Sequence, residues 1–269
     1  KKLLTLLALT ISFSMNAQMS DNSANNNTAG SNAVAMGYNT IAIGSTSTSM
    51  GRNTAASGWF STAMGYYTEA SGSYSTAMGN GTTADGSVST AMGSFTTASG
   101  SNSTAMGVVT TASDFASVVI GQYNSSGSSP TSVTSFSTYA PAFVIGNGID
   151  ISNKSDAFKV MFNGDTTVGG DITISSDARL KSNIVSLGST LSKLLLIDGK
   201  SYEKDGKQRI GVLAQEIQEV FPELVTKDGN EMLAVNYQGL VPVLINALKE
   251  QDEKINRLEK LVEKLVANQ

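Results

Sequence analysis

A glycine stands at every seventh position from Gly37 to Gly107, and after Asp114 takes the slot once, Gly121 restores it. A regular repeat of this length predicts a stacked body, because each unit has to bury its apolar face against the next one. We therefore expect the repeats to be structural, and we look for chemistry elsewhere in the chain.

The true period is fourteen residues, made of two similar halves. Alanine lies two positions before nearly every glycine, with Ser49 and Val119 as exceptions. Methionine precedes every second glycine, at Met36, Met50, Met64, Met78, Met92 and Met106. A coiled coil needs large apolar residues at two positions in seven, which these units lack. The pattern instead predicts one coil of a β-solenoid, with a short strand in each half and glycine at the corners, where positive φ is tolerated.

The alanine and methionine rows cannot line the same core, because neighbouring residues of a strand point to opposite faces. We expect one row to fill a thin interior and the other to face outward. An outward methionine row needs a covering surface, and self-association about a long axis would provide one. The alternative is that methionine fills gaps in a single-chain core.

Residues 61–65 and 75–79 both read Ser-Thr-Ala-Met-Gly. These segments resemble the head repeats of trimeric autotransporter adhesins, and the resemblance covers residues 31–124. It implies a left-handed parallel β-roll assembled as a trimer.

Composition excludes several functions. The net charge of −4, with no basic stripe, argues against a nucleic-acid partner. The chain has no His and no Cys, which excludes disulfides, Cys or His catalysis and zinc sites of the usual ligand types. We expect no metal and no cofactor. Residues from 176 onward hold 13 of the 18 Lys and Arg, so the chain divides into two parts of different character.

The N-terminus has the pattern of a secretory signal peptide. Lys1 and Lys2 precede an apolar run over residues 3–15, and a small-residue cleavage site follows. We expect a signal peptide at 1–18, a low-complexity linker at 19–30 and no membrane span after signal removal. A buried N-terminal helix is the alternative. This pattern favours a secreted or cell-surface bacterial protein over a virion appendage.

Residues 125–172 predict a Ser/Thr-rich transition followed by a β-neck. Strand-like sequence resumes at 142–148 and 157–165, with apolar residues set among polar ones and glycine turns. This stretch resembles the β-rich neck that precedes the terminal domain in many phage tail-fibre proteins.

Three motifs follow in order. Residues 176–184 read Ser-Asp-Ala-Arg-Leu-Lys-Ser-Asn-Ile, residues 211–217 read Gly-Val-Leu-Ala-Gln-Glu-Ile, and residues 235–237 read Val-Asn-Tyr. They closely resemble the C-terminal intramolecular chaperone domain of endosialidases and other phage tail spikes, over about residues 173–269. Asn236 departs from the pattern, since Asp is commoner at that position.

The resemblance implies a domain that trimerises, guides folding of the β-rich stalk upstream and then cuts itself free. It makes Ser176 the nucleophile and Lys181 the base of a single-turnover serine endopeptidase. The cleaved bond is the one between Ser175 and Ser176. No other enzymatic activity is indicated.

The chemistry of such a pair restricts its surroundings. A serine hydroxyl is a weak nucleophile until a neighbour takes its proton, and a lysine does so only when burial or nearby positive charge favours its neutral form. Arg179 could supply that charge or bind an oxyanion, Asp177 opposes it, and Asn183 is a further supporting candidate. A separation of five residues puts Ser176 and Lys181 on opposite faces of a strand. On a helix they would not be neighbours either, because only residues three or four apart lie side by side. They can therefore meet only through a bend or across chains of a trimer.

The last segment, about 241–266, has a short heptad pattern. One row is Val241, Leu248, Ile255 and Val262, and the second is Leu244, Gln251, Leu258 and Leu265. The pattern predicts a coiled coil, with an amphipathic helix packed on its own domain as the alternative. Together with the trimeric resemblances on both sides, it predicts a homotrimer.

The predicted fold class is a mostly β N-terminal part, a parallel β-roll or β-solenoid, followed by a small α+β chaperone domain ending in a coiled-coil helix. The predicted function is an exported fibrous surface or tail-fibre-like protein whose C-terminal domain assembles it and releases itself. The alternative is a glycan-binding or glycan-degrading spike in which that domain is only an assembly module. A surface glycan or host receptor is the further partner that outward-facing aromatic residues suggest.

Overall fold

A computed structural model describes residues 26–267 as two compact units, the first ending at Ile174 and the second beginning at Ser175. The predicted signal peptide at 1–18 and most of the linker at 19–30 lie outside the described residues. The first unit is almost entirely β, and the second is a small α+β region that ends in a long helix. The predicted fold class is confirmed.

Long and short strands alternate along the repeats. The five-residue strands are β1 Val34–Tyr38, β3 Thr48–Arg52, β5 Thr62–Tyr66, β7 Thr76–Asn80, β9 Thr90–Ser94, β11 Thr104–Val108 and β13 Val118–Gln122. The two-residue strands are β2 Ile41–Ala42, β4 Ala55–Ala56, β6 Glu69–Ala70, β8 Thr83–Ala84, β10 Thr97–Ala98 and β12 Thr111–Ala112. Each strand pairs in parallel with its equivalent fourteen residues later. The result is a β-solenoid of about six turns.

The interior of each coil admits only small side chains. In one coil, Ala63 and Ala70 are fully buried, and Ser61 and Thr68 beside them are 1% exposed. Met64, next to Ala63 in the same strand, faces outward and is partly exposed. The expected division is therefore confirmed: alanine fills the interior and methionine lies outside. The alternative of methionine as a core filler is wrong.

The glycines are required because successive coils touch through their backbones. At Gly65 φ is +126°, and a Cβ there would collide with the carbonyl group of Gly79 in the next coil. Gly58 does not have positive φ, yet a Cβ there would collide in the same way with Gly72. Close approach is thus the shared requirement, and positive φ applies to alternate glycines only. Our expectation that every glycine serves a positive-φ corner is corrected accordingly.

The left-handed corners lie two residues after each glycine. Their φ values lie between 44° and 60°, at Asn32, Asn39, Thr46, Asn53, Phe60, Tyr67, Tyr74, Val88, Phe95, Asn102, Val109, Ala116 and Tyr123. The amide in this slot donates to a carbonyl of the preceding coil, as Val88 does to Ser73 at 2.7 Å. Residues with a Cβ are disfavoured there by about 1–2 kcal/mol. Hydrogen bonds between coils hold these strained corners in place.

Asn124 closes the exposed edge of the short-strand sheet. Its Oδ1 accepts from the backbone N–H of Thr111 at 2.8 Å, and its Nδ2 donates to the Thr111 carbonyl at 2.9 Å. The side-chain amide thus makes the two hydrogen bonds that a further strand would make. Capping an edge in this way prevents it from pairing with another chain.

Asp114, which stands at a glycine position of the repeat, binds the backbone of the loop that follows. Its buried Oδ1 accepts from the backbone N–H groups of Thr131 and Ser132. The Ser132 carbonyl in turn accepts from the N–H of Phe115 at 2.7 Å. The Ser/Thr-rich stretch that we expected to be a linker or transition loop is therefore a loop hydrogen-bonded to the last coil.

The neck extends the long-strand sheet to ten strands. Strand β14 Pro141–Asn147 pairs in parallel with β13, and β15 Asp156–Met161 and β16 Thr166–Val168 follow in antiparallel fashion. The register continues the outward methionine row through Ile120 to Ile145. We call this row, from Met36 to Ile145, the methionine ladder.

The second unit packs around a small core. Its helices are α1 Leu191–Leu194, α2 Ala214–Val220 and α3 Leu240–Ala267, and its strands form two hairpins: β17 Lys200–Lys204 with β18 Lys207–Gly211, and β19 Val225–Lys227 with β20 Leu233–Val235. Ile217, Phe221 and Val243 form the buried centre. Among residues 26–267, no helix has both the length and the apolar character needed to cross a membrane.

A substitution at a strained corner tests this account. Val88 has φ 58° and a side chain that is 51% exposed, so little packing is at stake. We expect Val88→Asn to stabilise the solenoid by about 1 kcal/mol, because asparagine tolerates this backbone region. Val88→Thr, which keeps the β-branch, is the matched control and should leave thermal unfolding unchanged. A lower melting temperature for Val88→Asn would contradict the strain argument.

Candidate functional site

The predicted nucleophile and base meet within one chain. Lys181 Nζ donates to Ser176 Oγ at 2.6 Å. A single 3-10 turn over Ala178–Leu180 brings them together, with the Lys181 N–H donating to the Ala178 carbonyl at 3.1 Å. Of the two routes left open by their spacing, the structure has the bend.

Asp177 and Arg179 bind each other beside this pair. The Arg179 guanidinium contacts the Asp177 carboxylate at 2.6 Å, and the Arg179 backbone N–H donates to the same carboxylate at 2.8 Å. Hydrogen bonds from Arg179 lower the pKa of Asp177, and those same side-chain bonds raise the pKa of Arg179. The two groups thus form an ion pair with each other. The carboxylate also caps the 3-10 turn.

The bond expected to be cut lies one residue after the first unit ends. Ser175, Ser176 and Lys181 are all exposed. Asn183 adopts a left-handed φ of 52°, and within the described residues it is not hydrogen-bonded to the Ser176–Lys181 pair. The isolated chain therefore supplies the contact between the pair but not the burial that favours a neutral lysine.

The second motif forms the centre of the unit. A Cβ at Gly211 would lie 2.7 Å from the Tyr237 hydroxyl and 3.2 Å from the Tyr202 ring, so a larger residue would require these side chains to shift. The Val212 N–H donates to the same hydroxyl at 3.2 Å. Helix α2 follows immediately and buries Ile217 completely. Glycine, tyrosine and isoleucine thus fix the packing of helix and hairpins.

Asn236 has a local structural role. Its Oδ1 accepts from the Gly239 N–H at 3.2 Å, at the start of the 3-10 turn Tyr237–Gly239. An aspartate oxygen would make the same cap. The departure from the family pattern therefore leaves the turn that leads into α3 intact.

Glu250 of α3 binds the N-terminus of α1. Its carboxylate accepts from the Ser189 hydroxyl at 2.7 Å, from the Leu191 N–H at 3.2 Å and from the Thr190 N–H. The first backbone N–H groups of a helix have no hydrogen-bond acceptor within the helix itself. The hydrogen bonds, that from Ser189 above all, lower the pKa of Glu250 from 4.5 to about 2. Thr190 is itself buried and donates to the Val243 carbonyl at 3.1 Å.

Helix α3 has two different faces. Val243 and Ala247 are each 3% exposed, packed on the unit. The heptad positions lie on other faces and are between 46% and 71% exposed, at Val241, Leu244, Leu248, Ile255, Leu258, Val262 and Leu265. The alternative of a heptad row packed on its own domain is therefore not what this helix does.

Within residues 26–267, no group of His, Cys, Asp or Glu side chains is arranged to hold a metal ion.

Comparison with known families matches both halves of this architecture. Residues 176–226 match the family model described as chaperone of endosialidase. Segments from 42 to 124 match the model of the YadA head domain repeat. The chain thus carries head-type repeats followed by a C-terminal chaperone domain, which confirms both resemblances. This is the arrangement of a fibre-like protein.

Curated relatives are long tail fibre proteins Gp37 of phages. The chain is 32% identical to that of Escherichia phage AR1 over 109 residues, covering 36% of this chain and 9% of the relative. It is 35% identical to that of Enterobacteria phage K3 over 100 residues, covering 33% of this chain and 8% of the relative. For Enterobacteria phage M1 the values are 31% over 101 residues, 33% of this chain and 40% of the relative. The chain thus matches well under half the length of these relatives.

These relatives overturn the predicted location. A bacterial secreted or cell-surface protein was favoured over a virion appendage because of the apolar N-terminal run, yet the relatives are phage tail fibres. An apolar run after two lysines is a weak signal by itself. The resemblance of the neck to tail fibres carried more information.

Glu250 was missed at the sequence level. Ser189 and Thr190 before a helix are recognisable as capping residues, but their partner lies about sixty residues away in the chain. No local pattern identifies such a partner.

The Glu250 contact predicts an acid-sensitive unit. Because the folded-state pKa lies below the ordinary value of 4.5, this contact stabilises the fold above about pH 4.5 and is lost as the pH falls toward 2. We expect Glu250→Gln to unfold at a lower temperature at pH 7 and to lose less stability on acidification than the parent. Glu253→Gln, an exposed site on the same helix, is the matched control in thermal unfolding from pH 7 to pH 2. Equal acid sensitivity in Glu250→Gln and the parent would contradict this role.

Proposed function

We propose that this chain is part of a trimeric, tail-fibre-like phage appendage whose C-terminal domain assembles it and then cuts itself free. The observation that carries the proposal is the 2.6 Å contact between Lys181 Nζ and Ser176 Oγ. It lies directly after the end of the solenoid-bearing unit, where a cut would separate product from assembly domain.

The cleavage step uses the backbone immediately before the serine. Lys181, as the neutral amine, takes the hydroxyl proton of Ser176, whose Oγ attacks the carbonyl carbon of Ser175. The Ser176 nitrogen leaves with a proton, so an ester replaces the peptide bond. Water then hydrolyses the ester, leaving a carboxylate on Ser175 and a free amine on Ser176. The proposed reaction needs no cofactor.

Trimerisation would explain why cleavage occurs only after assembly. In one chain the Ser176–Lys181 pair is exposed, and a lysine in water is held in its charged form. Partner chains that cover the pair would favour the neutral amine by desolvation. We infer that cutting follows trimerisation, so that a fibre is released only after it has formed.

The repeats explain why an assembly domain is needed. Strand after strand reads Thr-Ala-Met-Gly and pairs with an almost identical copy. A slip by one coil would bury the same side chains, so the sequence barely distinguishes correct from incorrect register. Parallel pairing is also slow and exposed to aggregation. A domain that joins three chains at one end would fix both number and register.

Two surfaces support association of three chains. The heptad face of α3 is exposed along its length, and the methionine ladder runs in register along the outside of the long-strand sheet. Apolar surfaces this continuous mark interfaces. We propose that the helix face starts the assembly and that the ladder completes it.

Mass analysis of the expressed protein tests the cleavage. We expect two fragments meeting at residues 175 and 176 in the parent and only the full-length mass in Ser176→Ala and Lys181→Gln. Ser175→Ala, which changes the neighbouring hydroxyl but keeps the pair, is the matched control and should still be cut. A full-length parent, or a cut in Ser176→Ala, would rule out the proposed chemistry while leaving the assembly role open.

Sedimentation tests the trimer in a Ser176→Ala background, where the helix stays attached. We expect three times the chain mass for this variant and a shift to the chain mass on adding Leu258→Asp, because a buried charge in the seam is strongly unfavourable. Lys260→Asp, two residues along the same exposed helix, is the control and should remain trimeric. A monomeric Ser176→Ala chain would contradict the proposal.

A further inference from the structure

A cation within reach of two aromatic rings stands out on the surface of the solenoid. Tyr38, Arg52 and Tyr66 occupy equivalent positions in three successive coils. The guanidinium carbon of Arg52 lies 5.5 Å from the ring centre of Tyr38 and 5.8 Å from that of Tyr66. Tyr67 packs edge-on against Tyr66, with ring centres 4.5 Å apart. We call these four residues the arginine–tyrosine cluster.

Within residues 26–267, the charge of this cluster is not paired with a carboxylate. Arg52 is the only Lys or Arg between residues 26 and 153. In the described part of the chain it forms no ion pair with a carboxylate. Cation–π contacts attract the positive charge to the ring, whereas the N–H groups of a guanidinium match a carboxylate or phosphate in pairs. The N–H groups of Arg52 are thus available to an anionic ligand.

The fold does not need these side chains. The same position in later coils holds Asn80, Ser94, Val108 or Gln122, and all four cluster residues are exposed, the three tyrosines by 42–57%. Tyr67 sits in a left-handed corner, with φ 52°, where the two preceding equivalents are Asn39 and Asn53. Phe95 and Tyr123 occupy the same corner in later coils, so the fold accepts a ring there without requiring one.

The cluster also lies on a part of the sheet suited to remain in water. Its row is two residues from the methionine ladder along each strand, but the row varies from coil to coil and is mostly polar, Val108 excepted, whereas the ladder is uniformly apolar. Charged groups are depleted at the centre of protein interfaces and tolerated at the rim. The cluster can therefore stay accessible when another chain covers the ladder.

We propose that the arginine–tyrosine cluster binds an anionic sugar. The carboxylate or phosphate of the sugar accepts paired hydrogen bonds from Arg52, and the exposed ring of Tyr67 packs on the apolar face of the pyranose. The tyrosine hydroxyls supply further donors to sugar oxygens. This role lies beyond assembly and self-cleavage and depends on neither.

Titration of the full chain with three probes tests the proposal: sialyllactose, mannose 6-phosphate and lactose. We expect at least one anionic probe to bind more tightly than lactose, with affinity that falls as salt is added. Arg52→Gln should weaken that binding at least tenfold. Lys154→Gln, which removes the next cation along the unit, should leave it unchanged. Binding by sialyllactose alone, or by the phosphate alone, identifies which acid the site takes.

Tyr67→Asn provides a second, independent readout. It should weaken binding of the same probe several-fold while leaving the melting temperature equal or higher, because asparagine relieves the strained corner. The proposal is overturned if neither anion binds, if lactose binds equally well or if Arg52→Gln has no effect. It is also overturned if Arg52→Gln changes the oligomeric mass, since the cluster would then be a contact between chains.

Discussion

The close approach of glycine backbones in successive coils is the constraint on which the rest of the molecule depends. No Cβ fits where Gly65 faces Gly79 or where Gly58 faces Gly72, so the coils stack through their main chains. The space they enclose is filled mainly by Ala, Ser and Thr, with Val119 and Val144 buried in the last coil and the first neck strand. Methionine and the aromatic side chains of the repeats lie outside. The apolar methionine ladder and the arginine–tyrosine cluster are both consequences of an interior too narrow to hold them.

Because the coils are so similar, their sequences do not specify which coil stacks on which. Coil after coil offers the same alanine and the same glycine to its neighbour, so correct stacking is distinguished from slipped stacking mainly at the end of the array. Asn124 and Asp114 supply that distinction, because each makes hydrogen bonds that no repeated residue can copy. Both lie on the side from which the chain continues toward the chaperone domain. Unique contacts and the assembly domain therefore follow each other along the sequence.

Much of this was accessible from sequence because periodic patterns report on local geometry. The fourteen-residue period and the buried alanines follow from spacing. For Ser176 and Lys181, spacing left a bend or a contact across chains, and the structure has the bend. The left-handed corners did not, since hydrogen bonds between coils override the preference of residues such as Val88. The cap by Asn124 left a visible signal, an asparagine in a slot that threonine otherwise fills at every fourteenth position from Thr40 to Thr110. Glu250 left none, because its partners are distant in sequence.

The side-chain cap at Asn124 has a consequence for how such a fibre can change. Because the last coil is closed by its own residues and not by a particular number of preceding coils, a duplicated fourteen-residue unit could enter the array without altering either the cap or the domain that follows. Each insertion would lengthen the solenoid by one inter-strand spacing, about 4.8 Å. Recombination between near-identical repeats would produce such insertions readily. The length of the solenoid would then change in steps of one coil, independently of the residues at either end.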